Sequence, residues 1–362
     1  MSVACIRHTG PVPSIVIPAH NEERTLGRLL DSLLAEPGGP SGASDPSASG
    51  DSAAPAAPTD RPDRSGSAAG APSAPSPVPA AAGRPSADDF DIVVVCNGCT
   101  DDTAGVAAAR GARVRVVEIP VPSKHAALRA GDEHARGFPR LYVDADVVLG
   151  AADARALAAA LDGPDAKLAA APERHLPMTG CGWRVRAYYR VWQRLPAVRE
   201  GLFGRGVIAM SGAGHARIAA LPPLMADDLA ASLAFGPEER TVVDEARVVV
   251  HPPRTWADLI RRRVRAATST AQLESEQERA APREPAAEPA PTGEVAPGRP
   301  ADRPSARTSM GDLRALLRAE PRLLPSVLVF VAAAISARRG ARKAIRAGDF
   351  HTWLRDESSR QG

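Results

Sequence analysis

The chain has 362 residues, with 45 Lys and Arg against 42 Asp and Glu, for a net charge of +3. Charge so nearly balanced, with aromatic residues at only 4%, argues against a nucleic-acid partner, which needs a basic stripe or a base-stacking surface. The cysteines (Cys5, Cys96, Cys99, Cys181) are too few for a disulfide framework, and the N-terminus lacks a basic stretch followed by an apolar one, so a cytoplasmic protein is expected.

Ser14-Ile15-Val16-Ile17 is a short β-branched run that predicts a buried strand ended by Pro18, which has no N–H for the ladder. Leu26, Leu29, Leu30, Leu33 and Leu34 then recur at helical spacing, with Asn21 placed to cap the helix. From 37 to 87 the chain is Pro, Ser, Gly, Ala and Asp with almost no large apolar side chain, a composition that predicts a disordered insertion. Ile92 to Val95 is a second strand. Asn97-Gly98 supplies a turn, and Thr100 is the expected N-cap of a helix whose positive end suits Asp101 and Asp102. Val114–Val117 is a third strand, Ser123–Ala135 a helix and Leu141–Val143 a fourth strand. Strands this apolar, alternating with helices, predict an α/β fold: a mainly parallel central sheet with helices on both faces.

The second half is less regular. Strands are expected at Leu168–Ala171, Gly206–Met210 and Arg247–Val250, and helices at Gly182–Leu195, Ala226–Ala234 and Thr255–Ala271. Residues 276–310 repeat the composition of a disordered linker, and 311–362 form a C-terminal helical extension. Leu323 to Ala337 is almost wholly apolar and is followed by Arg338, Arg339, Arg342, Lys343 and Arg346. That run is short for a span. It fits either a helix docked on the main domain or one lying on the inner face of a membrane, a peripheral contact.

The chemistry concentrates at strand ends. Asp144-Ala145-Asp146 follows the fourth strand directly, and two carboxylates at the C-terminal edge of an open α/β sheet suit Mg²⁺ or Mn²⁺ holding a diphosphate. Pro18-Ala19-His20-Asn21-Glu22-Glu23 lies at the end of the first strand. There is no G-x-G-x-x-G to suggest a dinucleotide site. His125, His134, His175, His215 and His251 show no metal-ligand spacing and read as structural or surface residues. Cys96-x-x-Cys99 reads as two small residues at a tight turn.

Taken in order, these segments resemble the family-2 glycosyltransferases, which have the GT-A fold. The resemblance rests on Ile15 to Glu23, on Val93-Val94-Val95-Cys96-Asn97-Gly98-Cys99-Thr100-Asp101, on Ser123 to Gly131, on Asp144-Ala145-Asp146, and on Ala226-Asp227-Asp228-Leu229, which resembles the family's T-E-D-L element. It covers most of residues 13 to 235 outside the insertion, within a domain expected to span 1–275. It implies metal-dependent, inverting transfer of a sugar from a nucleotide-diphospho-sugar to a hydroxyl acceptor, such as a lipid-linked or cell-envelope glycan precursor. Asp228 would be the catalytic base with Asp227 beside it, and Asp146 the main metal ligand. Asp144 would be a second ligand or face the ribose. Pro18, Ala19, His20, Asn21, Glu22, Asn97 and Lys124 would contact the nucleotide-sugar.

The chain departs from the family where an acidic pair is common, having Cys96-Asn97 instead, so Asn97 would replace the acidic contact to the base. The processive synthases' Q-x-x-R-W element is echoed only by Arg261 to Ala266, without its Trp, which favours single-sugar transfer. A sugar-phosphate nucleotidyltransferase and a non-catalytic nucleotide-sugar-binding module remain as alternatives.

Overall fold

A computed structural model describes residues 12–35, 90–220, 227–280 and 308–347, without the side chains of 227–230 and 272–280. The expected insertion at 37–87 and residues 281–307 of the expected linker lie outside the described residues.

The first half alternates as the sequence predicts: β1 (Ser14–Ala19), α1 (Leu26–Leu34), β2 (Asp91–Asn97), α2 (Thr103–Ala108), β3 (Val114–Ile119), α3 (Lys124–His134) and β4 (Arg140–Val143). β1 pairs in parallel with β2 and β4, and β2 with β3. Alternate residues of β1 serve opposite faces. Ile15 and Ile17 join the core that includes Leu26, Leu29 and Leu30 of α1. On the other face Gly131 of α3 lies so close to Val16 that a Cβ would stand 2.2 Å from its Cγ1, so only glycine fits. Val93 and Val95 meet Ala127 of α3 on that face too. Helices therefore cover both faces.

Pro18 does not end β1. The strand runs on beside β2 to Ala19↔Cys96, while its ladder to β4 stops at Val16↔Tyr142, so the missing N–H falls beyond the β4 pairing.

The second half adds β5 (Val147–Leu149), α4 (Ala151–Ala159), β6 (Ala169–His175), α5 (Trp183–Trp192), α6 (Pro196–Glu200), β7 (Val207–Met210), α7 (Gly212–Ala219), α8 (Asp227–Ala234), β8 (Arg240–Val250) and α9 (Trp256–Ala280). α9 continues past the expected boundary at 275. The eight strands form one sheet in the order β3-β2-β1-β4-β7-β6-β8-β5. The half from β3 to β4 is parallel. Beyond it β7 is antiparallel to β4 and β6, β6 and β8 run parallel, and β5 is antiparallel to β8. α10 (Met310–Ala319) and α11 (Leu324–Arg346) form the helical C-terminal extension.

Tyr188 and Tyr189 of α5 are buried, and Tyr188 stacks on Phe330 of α11 with ring centroids 5.1 Å apart. Trp183, one turn earlier, is exposed. The aromatic set of α5 thus divides between core and surface.

Candidate active site at the carboxyl edge of the sheet

The chain steps from β1 outward to β2 and β3, then returns to place β4 on the other side of β1. A crevice opens at such a reversal, outside the carboxyl ends of the strands. The loops that enter it follow β1 (His20 to Thr25), β2 (Gly98 to Asp102) and β4 (Asp144 to Asp146).

The first two loops are stitched together by side chains. Asn97 is 2% exposed, and its Nδ2 donates to the Ala19 carbonyl at 2.9 Å, so it clamps β1 to β2 from within the core. His20 Nδ1 lies 2.6 Å from the Asn97 carbonyl. A carbonyl only accepts, so Nδ1 carries the proton and the lone pair of the neutral ring is on Nε2. Asn21 sits at φ 53°, a left-handed conformation that Asn tolerates better than most residues. Its Oδ1 accepts from the Thr100 backbone N–H at 2.7 Å. Gly98, at φ 58°, is close enough to Pro122 to exclude a side chain.

The caps differ from those expected. Thr25, not Asn21, holds the N-cap position of α1, and Asp102, not Thr100, that of α2, because Asn21 and Thr100 bond to each other across the loops. Asp101 receives Thr103 N–H at 3.1 Å and Glu23 N–H at 3.2 Å. Burial works to raise the Asp101 carboxyl, but hydrogen bonds from the Thr103 hydroxyl and from backbone N–H groups outweigh it and hold it below its usual value. Glu22 is buried. Its N–H donates to Thr103 Oγ1 at 2.8 Å and its carboxylate accepts from Thr25 Oγ1 at 2.7 Å, so its side chain is engaged in holding the loop.

The cysteine pair is structural, as expected. Burial, and then the neighbouring Cys99, push the Cys96 thiol up to about 12, which suppresses the reactive thiolate. Cys99 Sγ lies 3.5 Å from both the Asn21 N–H and the Ala19 carbonyl.

The third loop carries the two carboxylates. Asp144 N–H donates to the Gly206 carbonyl at 2.8 Å, and Asp144 Oδ1 pairs with Lys124 Nζ at 2.7 Å. Lys124 is the first residue of α3, whose cap Ser123 accepts from Ala126 N–H at 3.2 Å. Lys124 and Asp144, taken from separate motifs in the sequence, are brought together. Gly206 has φ 67°, and a Cβ on it would stand 2.5 Å from Val147 Cγ1 and 3.4 Å from Asp144 Oδ2. The loop before it is fixed by Arg205, 1% exposed, which donates to the Pro172 and Arg199 carbonyls at 2.7 Å each and to Gly201 at 3.1 Å. Burial lowers its pKa, and Glu173, 3.5 Å away, opposes that shift.

His251, read from the sequence as a structural or surface residue, has surroundings that the sequence did not show. The register that sets Val147 opposite Val250 carries Asp146, just before β5, and His251, just after β8, to the same end of that strand pair, near enough for the carboxylate to act on the imidazole. His251 Nδ1 is buried without a hydrogen-bond partner among the described residues. Burial lowers the His251 pKa, Arg28 lowers it further, Asp146 works against both, and Arg254 adds to the lowering. The only signal in the sequence was a histidine directly after a strand, which has no meaning until the strand pairing is known.

Among the described residues no three His, Cys, Asp or Glu side chains converge into a ready metal cage. The donor set nevertheless fits an open site. Asp146 is exposed, His251 is within electrostatic reach of it and has a buried ring nitrogen without a hydrogen-bond partner, and Asp144 is held by Lys124. A hard divalent cation bound by one or two carboxylates keeps positions for phosphate oxygens and water. Asp227 and Asp228 stand in the first turn of α8, but their side chains lie outside the described residues.

No protein-family model and no curated protein matches the chain. Among solved structures it is similar to the mannosyltransferase PcManGT from Pyrobaculum calidifontis in complex with GDP-Man and Mn²⁺, at 18% identity over 99% of this chain and 87% of that one, with a TM-score of 0.48. It is also similar to glucosyl-3-phosphoglycerate synthase from Mycobacterium tuberculosis in complex with Mn²⁺ and UDP-glucose, at 17% identity over 74% of this chain and 80% of that one, with a TM-score of 0.46. Likeness at this level says nothing of chemistry, which has to come from the site's own residues.

Proposed function

We propose that the protein is a metal-dependent glycosyltransferase that moves a sugar, with inversion, from a nucleotide-diphospho-sugar to a hydroxyl acceptor. The observation that carries the reading is the Lys124–Asp144 ion pair, two residues from the exposed Asp146, at the carboxyl end of β4 where the strand order reverses. There, carboxylates suited to a cation and an ammonium suited to phosphate stand at one edge.

Asp146 and His251 would hold Mn²⁺ or Mg²⁺, with Asp144 as a further oxygen ligand or a contact to the ribose. When bound, the cation supplies charge neutralisation for the departing nucleoside diphosphate. Lys124 keeps Asp144 oriented and adds a positive charge at the same edge, and Arg28 and Arg254 lie close enough to His251 to perturb it. The nucleotide would lie along Pro18 to Glu22. His20 offers a ring edge there, and Asn97 and Glu22 act by shaping the loop rather than by direct contact. Asp228 would remove the acceptor hydroxyl's proton as it attacks the anomeric carbon, with Asp227 beside it. The acceptor fits a lipid-linked or cell-envelope glycan precursor, a reading supported by the basic C-terminal helix.

The test is donor turnover in Asp228→Asn and Asp146→Asn. The first should bind donor with Mn²⁺ as the wild type does and lose transfer, and the second should lose metal-dependent binding as well. Wild-type transfer by either variant, with folding intact, would remove that residue from its role.

A further inference from the structure

Seven large apolar side chains among the described residues are exposed, and six of them (Trp183, Met310, Leu324, Leu328, Ile335 and Ile345) lie on α5, α10 and α11. Singly exposed apolar residues are ordinary, but a concentration on one group of helices marks a contact surface. α11 has two faces. One is packed: Val327, Phe330, Ala333, Ala337 and Ala341 are buried, and Gly340 comes so near α9 that a Cβ would stand 2.5 Å from Val264 Cγ2. The other carries Leu324, Leu328 and Ile335, then Arg339, Arg342 and Arg346, in steps of three, four or seven residues that keep them on one stripe. Beside the start of that stripe, Trp183, Arg186, Ala187 and Arg190 of α5 form a groove of about 380 Å³ with Pro325 and Ser326 of α11.

The charge of the surface is one-sided. Residues 310–346 hold eight Arg or Lys and two carboxylates. Both carboxylates are engaged, Asp312 by the Ser309 N–H at 2.9 Å and Glu320 by Arg194 at 3.0 Å. Trp183 is 62% and Leu328 63% exposed. An apolar stripe ending in arginines, beside a tryptophan flanked by arginines, matches the boundary between acyl chains and anionic headgroups.

We propose that the α5–α11 face seats this protein on an anionic phospholipid bilayer. Trp183, Leu324 and Leu328 enter the acyl boundary, while Arg186 and Arg190 of the groove and Arg339 and Arg342 of the stripe meet lipid phosphates. Pro321 to Arg346, 26 residues, are long and apolar enough by composition to cross a membrane. Crossing would strip the packed face of α11 from α5 and α9, so the helix lies on the surface instead. A second copy on this face would have to bury its arginines against leucines or against one another.

Lipid binding needs no donor and is read apart from catalysis. The full chain is sedimented with vesicles of phosphatidylcholine alone and with an equal mixture of phosphatidylcholine and phosphatidylglycerol, at low and high salt. Binding is expected on the mixed vesicles only, with release by high salt. Arg339→Gln with Arg342→Gln should weaken it about fivefold for each arginine removed. Leu324→Ser with Leu328→Ser should weaken it about tenfold or more. All four positions are exposed, so thermal unfolding should not change. Equal binding to neutral vesicles, no binding at all, or retention through high salt and alkaline carbonate would overturn the proposal. So would a dimer in equilibrium sedimentation that Leu328→Asp dissolves.

Discussion

Gly206→Ala tests whether the approach of β7 to the Asp144 loop sets the site. The position has φ 67°, and the left-handed backbone alone costs an L residue about 1–2 kcal/mol. A new methyl would also stand 2.5 Å from Val147 Cγ1, a side chain with 2% of its surface exposed and no room to retreat. Overpacking of that kind costs roughly 1–3 kcal/mol more. Gly111 is the control, since it has φ 62° and nothing within 4 Å of an added Cβ. Gly111→Ala should therefore lose only the backbone part. Urea unfolding at constant m-value reads both costs, and nucleoside diphosphate release reads the site. Gly206→Ala should be the less stable by about 1–3 kcal/mol and should release diphosphate at least tenfold more slowly, because the Gly206 carbonyl that receives Asp144 N–H has to move. Adding Val147→Ala removes the clashing methyl and should restore part of the rate. Equal stability of the two glycine variants, with full activity in both, would refute the reasoning.

Lys124→Gln breaks a pair whose side chains are about one-third exposed, so stability should change by less than about 1 kcal/mol while donor turnover falls at least tenfold; thermal melts and initial rates measure the two effects. Arg205→Leu leaves the Pro172, Arg199 and Gly201 carbonyls without their buried donor and should cost about 3 kcal/mol or more in urea unfolding. Tyr142 gives its hydroxyl proton to Asp132 and so accepts from His215 Nδ1 at 2.8 Å, and burial lowers the His215 pKa below 6.5, with Asp132 opposing and Arg140 adding to the shift. The unfolded chain then takes up the proton first as pH falls, so this contribution to stability is present above pH 6.5 and is lost on acidification below it. His215→Phe should flatten that slope in unfolding free energies measured across the range, and parallel slopes would count against it.

The parallel half of the sheet was legible because its strands are short, mostly apolar and β-branched runs separated by amphipathic or capped helices, and local pattern decides such elements. β8 was read only from Arg247 because Asp244 and Glu245 interrupt it. Those acids fall at the irregularity where β6 shifts register, with Pro172 opposite Val243 and Glu173 opposite Arg247. α4 was missed because its inner face is mostly Ala151, Ala154 and Ala158, which carry little periodic signal. At the site, Asp144 and Asp146 were singled out by their spacing directly after a strand, and Lys124 only by the family resemblance. The pairing of Lys124 with Asp144, the structural use of Glu22 and Asn97, and the placement of His251 within electrostatic reach of Asp146 all depend on contacts distant in sequence, which no local pattern contains.

The most direct measurement is nucleoside diphosphate release from UDP-, GDP- and dTDP-sugars with Mn²⁺ or Mg²⁺, for the wild type and Asp146→Ala, alongside calorimetric binding of the same donors. Sugar transfer at the β1–β4 edge predicts metal-dependent binding and slow release from one nucleotide class, abolished by chelation and by the substitution. Neither binding nor release with any donor, or release unchanged in Asp146→Ala, would contradict it.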